Sequence, residues 1–469
     1  MNRQILVLIL IIAIGTRLIL LDVRPMDHDE SVHAYLSYRL LKYNQYSYDP
    51  AFHGPFLYFS SAALFKIFGD SEFVARIAPA FFSIIGILSA CFFERWFGKG
   101  VFVFVFLLLF SPSILYYSRY MRNDLILVGS FIVLIYCYFR YTEKRKETLA
   151  YISAIFAAIM ITSKENGYIY IGTLVSFIFF HGISKEKLGY LSVITKWDFK
   201  KLRMVIIFSI IFSLIFVSLY SAGFSDYDGV ERATIGAFSH WFTMHEKKDH
   251  WKPVYYYTNI LLQYEFLPVA LSAISMTIFY RRYQKKETTK IELFAVYWLI
   301  TSFAFYHILA HKVPWLVVHL VLPFAFFGSM YSGSIFDWER RAYRVAFVII
   351  AAATLAVSLN VTYVDYNNAD EDLIYIQVQP TAIELCNVII EKLNSGEKIA
   401  VYEPGNDYWP IPWYLRNYTL PFHRSWAEGY TYVVTSEREK SFIEEKGYTV
   451  VGSYEVRPNY FMILAERKD

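Results

Sequence analysis

Asp27-His28-Asp29-Glu30 puts three carboxylic acids and an imidazole in consecutive positions. A carboxylate there can act as a general base, and two can bind a divalent cation. The group also opens a helical pattern, where acids stabilise the helix macrodipole. A second group is Ser118-Arg119-Tyr120-Met121-Arg122-Asn123-Asp124. Arg119 and Arg122 are three apart, so on a helix they share a face and can clamp a phosphate. The same pair could instead snorkel to lipid headgroups. Asp124 begins an apolar run, which calls for a packed and paired carboxylate. A third group, Ser163-Lys164-Glu165-Asn166-Gly167, lies between two short apolar runs, where charge is costly and a functional candidate, although Lys164 and Glu165 could instead satisfy each other in a tight loop. The fourth holds His307, His311 and Lys312. Two histidines four apart could share a metal, Lys312 could meet a phosphate, and Arg17 could join the same basic set.

The elements that carry these groups read as membrane helices. The chain has 469 residues, 56% hydrophobic and 19% aromatic, with a mean hydropathy of +0.33. A helix needs about 20 apolar residues to cross a bilayer, and lipid forces such runs to be helical. The expected spans are 5–21, 74–93, 101–115, 125–139, 150–162, 168–181, 204–220, 258–280, 291–308, 314–335 and 346–361, about eleven in all. The first lacks a small-residue cleavage site and reads as a retained anchor, not a signal peptide. Loops 94–100, 140–149, 182–203, 281–290 and 336–345 carry about three times the Lys/Arg density of the loops on the other side, so they are expected in the cytoplasm. That puts the N-terminus inside, and all four chemical groups and the C-terminal end outside.

Two outer loops are long, 22–73 and 221–257. In the first, Val32, Leu36, Leu40 and Tyr43 recur at helical spacing, with Arg39 and Lys42 between them, and predict a helix lying along the membrane surface. Turn signals at Asp49-Pro50 and His53-Gly54-Pro55 precede a further apolar stretch, 56–68. The second loop holds His240, His245, His250, Trp241 and Trp251. Residues 1–362 thus form a membrane domain, and 363–469 a small α/β domain. Its expected helices are 382–393 and 437–446, and its expected strands 398–402, 432–435, 448–456 and 460–465. The net charge of +4 gives no sign of nucleic acid, and the three cysteines build no disulfide framework or zinc pattern.

An Asp-Glu pair in the first outer loop followed by a surface helix resembles the GT-C superfamily of polyprenyl-phosphate-dependent glycosyltransferases, which includes the protein O-mannosyltransferases and the aminoarabinose transferase of lipid A. "DHDESVHAYLSYRLL", "YDPAFHGPFLYF", "YYSRYMRNDL", "SKENGY", "HKVPWL" and "WPIPWYLRNY" look most like the archaeal flippase-activity-associated family of the surface-glycan pathway. The resemblance implies transfer of a sugar from a polyprenyl (dolichyl) phosphate to an extracytoplasmic glycan, lipid or protein acceptor, with inversion. It implies Asp29 as base with Glu30 beside it. It also implies phosphate contacts from Arg119, Arg122, Lys312, Arg17 and Lys164. Asp124, Glu165, His53 and Asp27 become candidate metal or positioning residues, the metal a divalent ion if one is used. Asp27 and His28 are extra acid–base candidates. The oligosaccharyltransferase motif Trp-Trp-Asp-Tyr-Gly is missing; only Asp226-Tyr227-Asp228-Gly229 comes near. The competing expectation is a non-catalytic flippase-associated or transport protein that handles lipid-linked sugars, although no internal repeat is found.

Overall fold

The computed structural model describes all residues except 186–198, 238, 240–242, 244–249, 334–340 and 469. His240, Trp241 and His245, and the end of the span expected at 314–335, lie outside the described residues. Five described helices are long and apolar enough to cross a membrane: Ile77–Phe97, Asp124–Lys144, Phe199–Tyr220, Lys290–Ile308 and Arg341–Val364.

Two expected spans are broken. Gly100–Phe110 and Pro112–Ser118 meet at 52°, and Tyr256–Tyr264 and Phe266–Gln284 at 99°. At the first break Pro112 cannot donate to the helix before it, and the Ser111 hydroxyl caps the next helix at Ile114 N, 3.3 Å away. The second break falls on Glu265, and its carboxylate fastens the two breaks together. Its Oε1 accepts from Ser111 Oγ at 2.7 Å and Ser113 N at 2.8 Å. Helices 77–97 and 124–144 touch backbone to backbone, because a Cβ on Gly129 would come within 2.1 Å of the Phe82 carbonyl.

The first outer loop forms a helix over His28–Tyr43, as the periodicity predicts, with a capping box between Asp27 and Glu30. Its buried face takes in more than the apolar stripe. Ser31, His33, Ala34, Ser37 and Tyr38 turn inward with Val32, while Leu36 and Leu40 are half-buried and Tyr43 is exposed. The helix Phe56–Phe68 packs against it and starts where the apolar run does.

The C-terminal region is a mixed five-stranded sheet. The strands are β1 Ile399–Tyr402, β2 Phe422–His423, β3 Tyr432–Ser436, β4 Tyr448–Arg457 and β5 Tyr460–Arg467, in the order β2-β1-β3-β5-β4. β1 pairs in parallel with β2 and β3; β5 runs antiparallel to β3 and β4. The sheet is fastened directly to the first outer loop. Trp413 is fully buried in a cluster with Tyr38 and Phe65. Met26 N donates to Tyr414 Oη at 3.0 Å, Tyr38 Oη to Asn417 at 3.1 Å, and Arg416 Nε to Asp70 at 2.7 Å. Sequence periodicity showed four of the five strands but neither β2 nor the short Ile411–Tyr414 helix that makes this joint.

Candidate active site

A cavity of about 690 Å³ opens where the first outer loop, the loops at 119–124 and 163–167, the segment 309–316 and the C-terminal domain meet. Asp27, His28, Asp29, His53, Arg122, Lys164, Glu165, Trp315, Tyr375 and Arg457 are among its lining residues.

Asp29 is the accessible carboxylate, its side chain 38% exposed. It pairs with Arg122 Nη1. Burial works to raise the Asp29 pKa, but the Arg122 charge and hydrogen bond outweigh it and hold the carboxyl at about 2. Arg122 lies flat on the Trp315 ring, 3.6 Å from its centroid, with Nε 3.6 Å from Asp124 Oδ2. Asp124 is also bound by Lys164 Nζ at 2.8 Å and His319 Nε2 at 3.0 Å. Burial lowers the Lys164 pKa while Asp124 pulls it back up.

Glu30 faces away from the cavity. It is completely buried and accepts from Arg76 Nε and Nη2 at 2.8 Å each, Arg24 Nη2 at 3.0 Å and Met121 N at 2.8 Å. Asp27 caps the helix through Glu30 N at 2.6 Å and takes the Tyr120 hydroxyl on its other oxygen. Burial, with Glu30 and Asp29 close by, raises the Asp27 pKa to about 7. His53 reaches Glu165 with Nδ1 at 3.1 Å. The turn that carries it is pinned by Gly54 N on the Ser163 carbonyl at 2.9 Å, an approach so close that a Cβ on Gly54 would clash with Thr162 O at 2.2 Å.

Two expected phosphate ligands prove to be helix caps. Arg119 donates to the carbonyls of Thr16, Arg17, Ile19 and Leu20, which closes the C-terminal end of the helix Arg3–Leu18. Arg17 is fully buried and donates to Leu108 O at 2.6 Å and Leu109 O at 2.8 Å, at the Ser111-Pro112 break. Arg119 and Arg122 do not share a helical face, because the helix ends at Ser118 and the two side chains diverge. Lys312 is buried and donates to the Leu309 carbonyl. His307 and His311 part company where the helix ends at Ile308: His307 bonds Thr258 at 2.9 Å and the Phe303 carbonyl at 2.7 Å, while His311 faces His250.

The metal expectation finds little support in these donors. Asp124 is held by a lysine and a histidine, and Asp27 by a tyrosine and a backbone amide. Among the described residues no group of three or more His, Cys, Asp and Glu is gathered for a metal. Sequence reasoning missed Arg457, Tyr375, Trp315, His319 and the Arg24–Arg76 pair around Glu30. A lone arginine at a strand end carries no local signal, although an acid buried in a capping box calls for a buried cation.

Residues 52–197 match the family model "Dolichyl-phosphate-mannose-protein mannosyltransferase", a stretch that holds His53, Arg122, Asp124, Lys164 and Glu165. No curated protein matches the sequence. The crystal structure of ArnT from Cupriavidus metallidurans bound to undecaprenyl phosphate is similar over 99% of this chain and 98% of that one, with a TM-score of 0.67 at 15% identity. The apo form of ArnT gives 0.66 at 16% identity, over 98% of both chains. The likeness to ArnT is thus one of fold, and it runs over nearly the full length of both chains.

Proposed function

We propose that this protein is a membrane glycosyltransferase that moves a sugar from a polyprenyl phosphate to an acceptor hydroxyl outside the cell membrane, with inversion. The observation that carries the reading is Asp29, an accessible carboxylate that lines the cavity and is held ionised by its pairing with Arg122. The ArnT-like fold and the family match over 52–197 support a lipid-phosphate donor.

In the reaction the acceptor oxygen attacks the anomeric carbon. The bond from that carbon to the phosphate oxygen breaks, and its electron pair leaves with the polyprenyl phosphate. Asp29 takes the acceptor proton. Arg122 holds Asp29 ionised, and it is also a guanidinium that lines the cavity, placed to meet an incoming phosphate. When the phosphate shares Arg122, the pairing with Asp29 weakens and the carboxylate becomes a stronger base. Lys164 is the second cation at this end and Glu30 a positioning residue behind the loop. The loops bearing the site and the C-terminal domain lie on the extracytoplasmic face, as the Lys/Arg distribution supports.

The test uses protein in lipid with a panel of polyprenyl-phosphate sugars and scores donor consumption and lipid-phosphate release. Asp29→Asn should fold and insert normally and lose transfer. Normal transfer by that variant would show that the base lies elsewhere. Binding of the donor without consumption, with acceptors supplied, would favour the flippase-associated reading.

A further inference from the structure

Arg457 enters the cavity from the end of β4, so the C-terminal domain contributes a residue to the site. Its Nη2 donates to Asp407 Oδ2 at 2.6 Å, within its own domain. Its Nη1 lies 3.3 Å from His28 Nδ1, across 429 residues of sequence. His28 immediately precedes Asp29.

A guanidinium can only donate, so Nδ1 of His28 must offer its lone pair. Asp407 Oδ1 would ask for the opposite, a proton on Nδ1, but it stands 3.8 Å away, beyond hydrogen-bond reach. With Nδ1 accepting, the hydrogen of a neutral ring sits on Nε2. Burial lowers the His28 pKa, and Arg457 adds to this against the pull of Asp29 and Asp407, which favours the neutral ring. Among the described residues no hydrogen bond uses Nε2, and the side chain is 31% exposed where it lines the cavity.

We propose that Arg457 fixes His28 as the Nε2–H tautomer and so turns it into a hydrogen-bond donor that orients an oxygen of the acceptor beside Asp29. This rests on the transferase reading above. His28 then binds substrate, and Arg457 is a positioning residue acting through it. The acceptor class that fits has a second oxygen next to the attacking hydroxyl, as a sugar diol does. The assignment gives the C-terminal domain a reason to be fastened by Trp413 and Arg416: a small shift of the sheet would withdraw Arg457.

Two measurements on the full chain in lipid nanodiscs decide the matter. In nitrogen-15 histidine spectra, with the His28 signals identified by their loss in His28→Gln, Nδ1 should be unprotonated and Nε2 protonated. Arg457→Ala should give a mixture of tautomers, and octyl mannoside, used as the acceptor probe, should shift the Nε2 signal. A protonated Nδ1 in the unmodified protein, or no shift with the probe, overturns the proposal. These spectra decide it even where no turnover is seen, an outcome that would count against the transferase reading alone.

The second measurement is transfer from dolichyl-phosphate mannose to octyl mannoside. His28→Ala should lower kcat/KM for the acceptor about three- to tenfold, the effect of one hydrogen bond, with the donor KM unchanged. His28→Gln, whose amide N–H falls near the Nε2 position, should restore most of it. Arg457→Ala should lower the same constant by less than His28→Ala does and do nothing further in the His28→Gln background. Equal damage in both backgrounds would mean that Arg457 only holds its own domain together, and the proposal would fail.

Discussion

Replacing Glu30 with Gln separates a catalytic carboxylate from a structural one. The Glu30 carboxylate receives three charge-assisted hydrogen bonds from Arg76 and Arg24 and one from the Met121 amide. Gln keeps one oxygen, but its NH2 group points at guanidinium donors that need an acceptor. Breaking a buried ion pair by removing one partner costs about 3–5 kcal/mol. The arginines keep some partners: Arg76 donates to the carbonyls of Leu21 and Arg24 at 2.8 and 2.9 Å, and Arg24 to Tyr116 Oη at 3.1 Å. The loss should therefore fall near the lower end, about 3 kcal/mol. It is measured as an earlier loss of the monodisperse peak when purified protein is heated in detergent. Because the neighbouring arginines depress the Glu30 pKa, the stabilisation is complete above the ordinary carboxylate range and fades as pH falls through the lowered value. The difference between Glu30→Gln and the unmodified protein should therefore shrink only as the pH falls below the ordinary carboxylate range. Unchanged thermal stability together with abolished transfer would refute this reasoning and make Glu30 a catalytic group.

Arg119→Ala should destabilise the protein by uncapping the helix Arg3–Leu18 while leaving the donor KM unchanged; a large rise in donor KM would return Arg119 to the phosphate site. Trp413→Ala should cost about 3–5 kcal/mol at the domain joint and make the C-terminal domain sensitive to limited proteolysis, and equal resistance to protease would show that the joint is held elsewhere. Glu265→Ala should release two broken helices at once and lower thermal stability without changing the pH profile of transfer.

Much of this architecture is written in local sequence. Phe56–Phe68 begins and ends where its apolar run does, and Ala382, Leu385, Cys386 and Ile389 mark one buried face of Pro380–Asn394. The breaks at Ser111-Pro112 and Glu265 escape a hydropathy window because the window averages a single polar residue into its apolar flanks. The arginines escape for a different reason. Residue type says that a guanidinium needs acceptors, and spacing says which face it leaves from, but carboxylates, phosphates and helix-end carbonyls all satisfy it. Arg119 finds four carbonyls and Arg122 two carboxylates, three residues apart in one segment. Arg457 is a case of pure long-range geometry, brought to His28 only by the docking of the sheet.

The pairing of cations with carboxylates in the cavity also explains how such a site can be stable without substrate. Arg122 and Lys164 are buried, where unpaired charge would be expensive. Asp29 and Asp124 neutralise them, and Trp315 covers the Arg122 face. A phosphate entering this site, as proposed, would exchange one anion for another at Arg122, so much of the desolvation cost would be met before it arrives. The exchange has a chemical consequence on the other partner. On the proposed reading, the cation that the phosphate would engage is the one that holds the Asp29 pKa at about 2, so occupancy of the donor site and basicity of Asp29 would rise together. A carboxylate that is a poor base until the donor is seated is poorly suited to activating stray hydroxyls, and the selectivity follows from one arginine having two anions to serve.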